Sequence, residues 1–346
     1  MKLIILDESD ARQIHFVSKD ICIASQGLMI QSANCHFVNW KKINEISSSF
    51  TRKWQNYCSL FARLVRGGIH SIIPICSNGK RWVVVAEGKL YLLDVELRTL
   101  RHFFIIPRGR RPLRRGLCVV KDNVLIGEYW GNPERNSVNI YRVNCSSGKI
   151  EKYYCFPAKT VRHIHTVEKD PFTNQIWVST GDNDDECKIV LLNADSGEEM
   201  ILGEGSQKWR TLSFAFRAEA VYWGTDNHLG KNEIWRFVRC TGAIKKVGNV
   251  VGPVYYNTCL NDAIIFGTTM EKGEGEQDGY GRLYAVDHRD NITEVWKLKK
   301  DHWSARLFGY GVFEFAEGAT WSKTFWVTAK GLNGGLRSIL FELNDE

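Results

Sequence analysis

The chain has 346 residues, with 46 lysines and arginines against 39 aspartates and glutamates, and 44% of its residues are hydrophobic. This composition is typical of a soluble globular protein, and 30 glycines with only 7 prolines exclude a collagen-like or disordered chain. The formal charge of +7 is modest for this length and predicts no nucleic-acid partner.

The N-terminal stretch and the hydropathy pattern predict a cytoplasmic protein. Only residues 3–6 are apolar before Asp7, which is shorter than the roughly 7–15 apolar residues of a secretory signal. No uncharged apolar run approaches the roughly 20 residues that cross a bilayer, so no membrane span is predicted. Ten cysteines are scattered without a CxxC pair, which favours reduced thiols over a disulfide framework.

A pattern of apolar strands and turns repeats along the chain. The copies are residues 21–40, 82–99, 124–149, 176–198, 221–243, 264–291 and 325–343. In the four clearest copies the closing turns fall at Gly148, Gly197, Gly242 and Asp290, in steps of 49, 45 and 48 residues. This period, with room for four short strands, is typical of propeller blades. The sequence therefore predicts an all-β protein, one seven-bladed β-propeller domain over residues 1–346.

Two segments fall outside the regular repeat. The last copy stops after its third strand, while residues 2–6 form a separate apolar strand at the start of the chain. We expect this N-terminal strand to complete the last blade, because closing the ring removes exposed strand edges. Residues 47–62 predict a helical insertion or lid between the first two blades.

The basic tract RGRRPLRR, residues 108–115, is the densest run of charge in the chain. Its position between two blade copies predicts an exposed connector. The functional alternative is a lip over the central channel that attracts anions.

Polar residues gather where a propeller opens on one face. There the starts of the innermost strands meet the loops between second and third strands. The strand starts supply His70, Arg115, His163, His165, Arg210, Tyr255, Tyr256, Asn257 and Tyr310. The loops supply Glu128, Tyr129, Trp130, Asp182, Asn183, Asp184, Asp226, Asn227, His228 and Glu271. These residue types predict an axial site for an acidic oligosaccharide or sugar precursor.

The chemistry of these side chains suggests their roles. Arginine holds a carboxylate through two hydrogen bonds, aromatic rings stack on sugar faces, and imidazole, phenol or carboxylate groups transfer protons. The predicted catalytic residues are His163, His165, Tyr256, Asp182 and Asp226. The predicted substrate-binding residues are Arg210, Arg115, His70, Trp130, Tyr129, Glu128, Tyr310 and Trp209. Trp223 is a further candidate for stacking, and the pair Asp182 with Asp226 would instead suit hydrolysis.

Metal binding is weighed against structural roles at two places. His163 and His165 lie two apart on one strand and face the same side, which suits a metal ion, with His70 across the channel. The sequence shows no third ligand, so hydrogen-bonded structural histidines and no cofactor are predicted. The acidic run 182–186 lacks the EF-hand register and its glycine, and solvated loop charge is predicted there.

Three stretches carry a resemblance to known proteins. RHIHTVEKDPFTNQIWVSTGD (162–182), GEGSQKWRTLSF (203–214) and VYWGTDN (221–227) resemble uncharacterised propeller proteins found with bacterial surface-polysaccharide genes. The broader pattern resembles sialidase-type and polysaccharide-lyase propellers, although the sialidase Asp-box S-x-D-x-G-x-T-W is absent. A lyase of this shape would use a histidine and tyrosine pair with an arginine. The resemblance places these at His163, His165, Tyr256 and Arg210.

The residues and the resemblance together predict a carbohydrate-active enzyme, a lyase or glycosidase acting on an acidic glycan or its precursor. A non-catalytic glycan-binding or regulatory propeller is the first alternative. A protein-interaction scaffold is the second, although the G-H and W-D dipeptides of the WD-repeat group are absent at blade spacing.

Overall fold

The protein is described by a computed structural model that covers residues 1–34, 39–51, 54, 58–75, 79–107, 109–271, 273, 278–318, 322–333 and 335–344. These residues form seven small β-sheets, which are arranged in a ring. The predicted seven-bladed β-propeller is confirmed. No helix in this part of the chain is both long and apolar enough to span a membrane.

The first four blades follow the chain from inside to outside. Blade 1 holds β2 (Gln13–Val17), β3 (Cys22–Gln26), β4 (Met29–Ala33) and β5 (Lys41–Glu45). Blade 2 holds β6 (Ile69–Pro74), β7 (Arg81–Ala86), β8 (Lys89–Asp94) and β9 (Thr99–Ile105). Blade 3 holds β10 (Leu117–Val120), β11 (Asn123–Gly127), β12 (Val138–Asn144) and β13 (Ile150–Phe156). Blade 4 holds β14 (Ile164–Lys169), β15 (Gln175–Thr180), β16 (Lys188–Asn193) and β17 (Glu199–Glu204).

The last three blades complete the ring. Blade 5 holds β18 (Phe214–Phe216), β19 (Ala220–Gly224), β20 (Asn232–Val238) and β21 (Ile244–Val250). Blade 6 holds β22 (Val254–Cys259), β23 (Ala263–Thr268), β24 (Tyr280–Asp287) and β25 (Ile292–Lys299). Blade 7 holds β26 (Val312–Phe315), β28 (Thr324–Leu332), β29 (Gly335–Asn344) and, outermost, β1 (Lys2–Asp10). The short strand β27 (Glu317–Gly318) pairs in parallel with β2.

Among the described residues, helical structure is confined to short segments. Helix α1 covers Ser59–Val65, helix α2 covers Ala305–Phe308, and single 3₁₀ turns cover Asp184–Glu186 and Gln207–Trp209. Part of the predicted helical insertion 47–62 lies outside the described residues. Arg63 of α1 donates a hydrogen bond to the Phe308 carbonyl of α2 (2.9 Å), so the two helices lie against each other.

Burial explains why the second strands read as unbroken apolar runs. Both faces of β7 and β23 pack against neighbouring blades, and almost every residue in them is buried. The outermost strands β9 and β17 alternate in burial or face solvent. Glycine ends β11 and β19 because a Cβ on Gly224 would come within 2.4 Å of Val254 of the next blade. The glycines at the ends of these two strands thus reflect close packing between blades.

The N-terminal strand closes the ring as predicted. Strand β1 pairs antiparallel with β29, with Leu3 opposite Leu343, and it continues to Asp10 beyond the predicted apolar stretch. The Leu3 side chain is buried in the core of blade 7 with Phe341 and Leu343. The last blade is therefore held by residues from both ends of the sequence.

The seven innermost strands begin at one end of the channel, which we call the upper face. Because the strands of each blade alternate in direction, the loops between second and third strands open on this face as well. Residues from distant parts of the chain therefore meet at the upper face.

We expect Leu3→Ala to destabilise the protein by about 2–3 kcal/mol, because it leaves a cavity in the blade 7 core. Ile4→Ala on the same strand is the matched control, and its exposed side chain (42%) should contribute about 0.5 kcal/mol or less. Denaturant unfolding measures both. Equal effects of the two substitutions would show that β1 does not close the ring.

Candidate functional site

Three of the predicted residues converge at the start of blade 4. A β-bulge between Ile164 and Thr166 interrupts the pairing of β14 with β15 at His165. The Nε2 atoms of His163 and His165 lie 3.1 Å apart. Asp182, just after β15, places Oδ1 3.5 Å from the first of these nitrogens and 3.7 Å from the second. We call these three residues the His–His–Asp triad.

The hydrogen bonds around the triad define which nitrogen atoms carry protons. Nδ1 of His163 lies 3.0 Å from the Trp130 carbonyl, and a carbonyl only accepts, so this nitrogen is the donor. The Nε2 atom of the same ring faces His165 and Asp182. Burial lowers the pKa of His165 to about 4, so its imidazole is neutral at pH 7.

Asp182 carries the negative charge of the triad. Burial alone would raise its pKa, but the contacts with His163 and His165 outweigh it and hold the pKa well below its usual range. Its side chain is 28% exposed, whereas both imidazoles are buried. The carboxylate therefore faces the channel in its ionised form.

Arg210 connects the triad to a second carboxylate. Its Nη2 lies 3.4 Å from Oδ1 of Asp182 and 3.1 Å from Oδ2 of Asp226. The Asp226 amide donates to the Arg210 carbonyl (3.0 Å), which fixes the start of blade 5 against the loop after β19. Both side chains are buried.

The pKa of Asp226 lies close to neutral pH. Burial raises its pKa to about 7, with added repulsion from Glu271 and Asp182 that the attraction of Arg210 only partly offsets. Within the described residues its Oδ1 atom has no hydrogen-bond partner. A carboxyl group in this state exchanges a proton near neutral pH.

Aromatic hydroxyl groups line the same side of the channel. The Tyr129 ring lies 4.3 Å from that of His163, and the Tyr255 hydroxyl donates to Oε2 of Glu271 (3.3 Å). The hydroxyl of Tyr310, which is 38% exposed, also bonds to Glu271. Burial raises the pKa of Tyr129 and of Tyr310 to about 12, so these phenols are protonated donors at pH 7.

Four of the five predicted catalytic residues therefore lie together, and Tyr256 does not. A β-bulge at the start of β22 turns Tyr255 toward Glu271. Tyr256 packs instead into the core shared by blades 6 and 7. Strand alternation correctly predicts that Tyr255 and Tyr256 point to opposite faces of the sheet. Which of the two faces the site is decided by the bulge, and the bulge leaves no signal in the sequence.

Several predicted binding residues lie elsewhere. Trp209 and Trp223 stack on each other (5.9 Å between ring centroids) and are buried inside blades 4 and 5, away from the channel. Trp130 lies under Arg110 (4.4 Å), and Glu128 pairs with the same arginine (2.5 Å). These contacts hold the upper loop of blade 3.

The remaining predicted residues are divided between the two ends of the channel. Arg115 pairs with Glu317 (3.0 Å) and lines a cavity of about 530 Å³ at the lower face, together with Glu168. His70 lies at the upper face beside the basic tract. Asn183 lies at the start of the 3₁₀ turn Asp184–Glu186. It accepts and donates hydrogen bonds within this turn, and these bonds hold the backbone there.

Arg162 belongs to the site and was not predicted. Its Nη1 lies 3.2 Å from Oδ2 of Asp182, on the side away from Arg210. It directly precedes His163, so its proximity to the triad was available as a sequence signal. With Asp182, Asp226 and Glu271, this side of the channel has three carboxyl groups against two arginines.

No family model matches the chain, and no curated protein matches its sequence. Solved structures do match. An oligogalacturonate lyase from Vibrio parahaemolyticus has a TM-score of 0.66 at 9% identity, covering 99% of this chain and 98% of that one. An oligogalacturonate lyase in complex with manganese has a TM-score of 0.63 at 9% identity, covering 100% and 97%. A chain of a mitotic checkpoint complex has a TM-score of 0.64 at 10% identity, covering 99% and 95%. At these identities the likeness shows the propeller fold alone.

The raised pKa of Asp226 makes stability depend on pH. Because its folded pKa (about 7) lies above its unfolded value of about 3.9, this group stabilises the fold fully below pH 4. That contribution is lost as the pH rises to 7, with a slope of at most about 1.4 kcal/mol per pH unit. We therefore expect the free energy of unfolding of Asp226→Asn, relative to that of the wild type, to increase as the pH rises from 4.5 to 7.

Denaturant unfolding at a series of pH values measures this difference. Asp185→Asn is the control, because Asp185 is exposed and its hydrogen bond to Arg135 lowers its pKa, which places its titration below the measured range. Its difference from the wild type should stay constant. Parallel curves for Asp226→Asn and the wild type would contradict the assignment.

Proposed function

We propose that the protein is a carbohydrate-active propeller that binds an acidic glycan at the upper face and cleaves it by elimination. The observation that carries the proposal is the His–His–Asp triad, which faces a channel lined by Tyr255, Tyr310 and Glu271. Among the functions of propeller proteins, the oligogalacturonate lyases of the same fold support the proposal of a lyase. Elimination next to a carboxylate needs a cationic centre, a proton acceptor and a proton donor.

The triad has the donor set of a divalent cation site. One ligand atom from each residue lies within 4.8 Å of the others. The Trp130 carbonyl orients His163 so that its Nε2 lone pair points into the triad, as the outer partners of metal ligands do. Two imidazoles and one carboxylate suit manganese, zinc or iron. In this proposal Asp182 is the third ligand, which the sequence did not reveal.

A cation held there would supply positive charge for the carboxylate of an acidic sugar and would acidify the adjacent carbon. The local charge is compatible with this arrangement, because Asp182 is ionised and Asp226 becomes negatively charged as the pH rises through about 7. Arg210 serves mainly to position Asp182, because its guanidinium lies 3.4 Å from Oδ1 of Asp182 and also donates to the Asp182 backbone carbonyl (3.3 Å).

The chain's own groups can carry the proton transfers. Glu271 takes the proton from the carbon next to the sugar carboxylate, and a double bond forms as the bond to the glycosidic oxygen breaks. Tyr310, a protonated phenol exposed to the channel, donates the proton that the leaving oxygen requires. The products are an unsaturated sugar and a new reducing end.

Incubation with a panel of acidic oligosaccharides, including oligogalacturonates, tests this reaction. We expect ultraviolet absorbance from the unsaturated product to rise together with reducing ends in the presence of Mn²⁺. Asp182→Asn should lower kcat/KM by about 100-fold or more, because it removes the charge that completes the triad. Asp185→Asn, in the same loop but exposed, is the matched control and should keep full activity.

The outcomes separate the alternatives. Reducing ends without ultraviolet absorbance would indicate hydrolysis and contradict elimination. Binding without either product would indicate a non-catalytic glycan-binding propeller. Failure to bind any acidic sugar would overturn the proposal.

Metal binding is measured independently of activity. We expect the metal-free protein to bind one Mn²⁺ per chain in a calorimetric titration. His163→Gln should weaken this binding about tenfold or more, because it removes a nitrogen ligand from the triad. His228→Gln, which alters a histidine of the neighbouring upper loop, is the control. Identical Mn²⁺ affinity of both variants and the wild type would exclude the triad as the site.

A further inference from the structure

Residue 108 of the basic tract lies outside the described residues, and the remaining part, 109–115, does not form an exposed connector, because Arg114 is buried at the upper face. The Arg114 side chain is 4% exposed, and its Nη1 lies 3.0 Å from Oε2 of Glu314. Its guanidinium also donates to the carbonyls of His70 (3.2 Å) and Phe315 (3.2 Å). These three hydrogen bonds tie blades 2, 3 and 7 together at the upper face.

Two further cations, Lys330 and Arg111, interact with the same carboxylate, and a third, Arg66, lies beside Arg111. Lys330 of β28 lies 2.7 Å from Oε2 of Glu314. Arg111 donates to the carbonyl of Arg66 (3.2 Å), and the charges of Arg66 and Glu314 both act on it. We call Arg66, Arg111, Arg114 and Lys330 the basic cluster.

The basic cluster carries more positive charge than its carboxylates balance. Glu314 already accepts from Arg114, Lys330 and the Gln13 amide. Within the described residues Arg111 has no carboxylate within salt-bridge distance, and Glu87 attracts it less than Glu314 does. Burial, then the repulsion of Arg66, lowers the pKa of Arg111. Partly buried cations with one shared carboxylate are suited to an incoming anion.

A buried imidazole faces the same cluster. Burial, followed by the charges of Arg111, Arg114 and Lys330, lowers the pKa of His70 well below its usual value, so the ring is neutral. Its Nε2 atom is buried and has no hydrogen-bond partner among the described residues. An unsatisfied polar atom in such a place costs free energy that a bound ligand or water recovers.

The basic cluster and the His–His–Asp triad face each other across the ring. The cluster belongs to blades 7 and 2 and the loop before β10, whereas the triad and Asp226 belong to blades 4 and 5. Tyr310 lies between them, since its hydroxyl interacts with Glu271 on one side and with the charge of Arg66 on the other. One ligand in the upper mouth would therefore meet both.

We propose that the basic cluster is a second anion-binding subsite, which holds a carboxylate, phosphate or sulfate group of the substrate. The assignment of the bound anionic group to the substrate rests on the proposed function. It implies a glycan with at least two acidic groups, one at the triad and one at the basic cluster. A single acidic sugar would occupy one side of the channel and leave the other charge unmatched.

Inorganic phosphate probes the subsite without any sugar. At constant ionic strength we expect phosphate to raise the melting temperature of the wild type, because a ligand that binds the folded state stabilises it. Arg111→Gln and Lys330→Gln should each weaken phosphate binding about tenfold, as expected for the loss of one charged hydrogen bond. Lys245→Gln, on the exposed outer strand of blade 5, is the charge-matched control. An equal phosphate response in all three variants, or none in the wild type, would overturn the subsite.

Acidic sugars distinguish this proposal from the proposed function. Arg111→Gln should weaken binding of a trigalacturonate about tenfold and leave binding of monomeric galacturonate unchanged. Phosphate binding that depends on Arg111, without binding of any acidic sugar, would support the subsite and reject the proposed function. Equal loss for the monomer and the trimer would reject the two-subsite arrangement while the elimination proposal stands.

Discussion

The pairing of β1 with β29 is the constraint on which the site depends. It joins the two ends of the sequence in blade 7 and leaves the innermost strands as the lining of one closed channel. Only in a closed ring do the upper loops of blades 3 to 7 point toward a common axis. The burial of Leu3 against Phe341 links this closure to the hydrophobic core.

Charge is separated across the channel that the ring encloses. On one side Asp226 and Glu271 lie near Asp182 of the triad, and on the other Arg111, Arg114 and Lys330 lie near Glu314. Both groups lie in partly buried places, where an unmatched charge is costly. A cation at the triad and an anion at the basic cluster would relieve both, so the two proposals concern one electrostatic arrangement.

The strands of the blades fix the positions of the site residues. His163 and His165 come from the bulged start of β14, Asp182 follows β15, and Arg210 is fixed by the backbone hydrogen bond from Asp226. Groups carried on strand ends in this way keep their distances better than groups on long loops. The same geometry buries Asp226, and that burial raises its pKa to about 7.

The sequence by itself determined the seven-fold repeat, the closing N-terminal strand and the gathering of His163, His165, Asp182, Arg210 and Asp226. It did so because strand periodicity and repeat length report local packing, which each copy carries in full. The tertiary structure alone decided that Tyr255 instead of Tyr256 meets the site, that Trp209 is buried, and that Arg114 turns inward to Glu314. Those outcomes depend on single-residue bulges and on contacts between residues 200 positions apart, which no local pattern encodes.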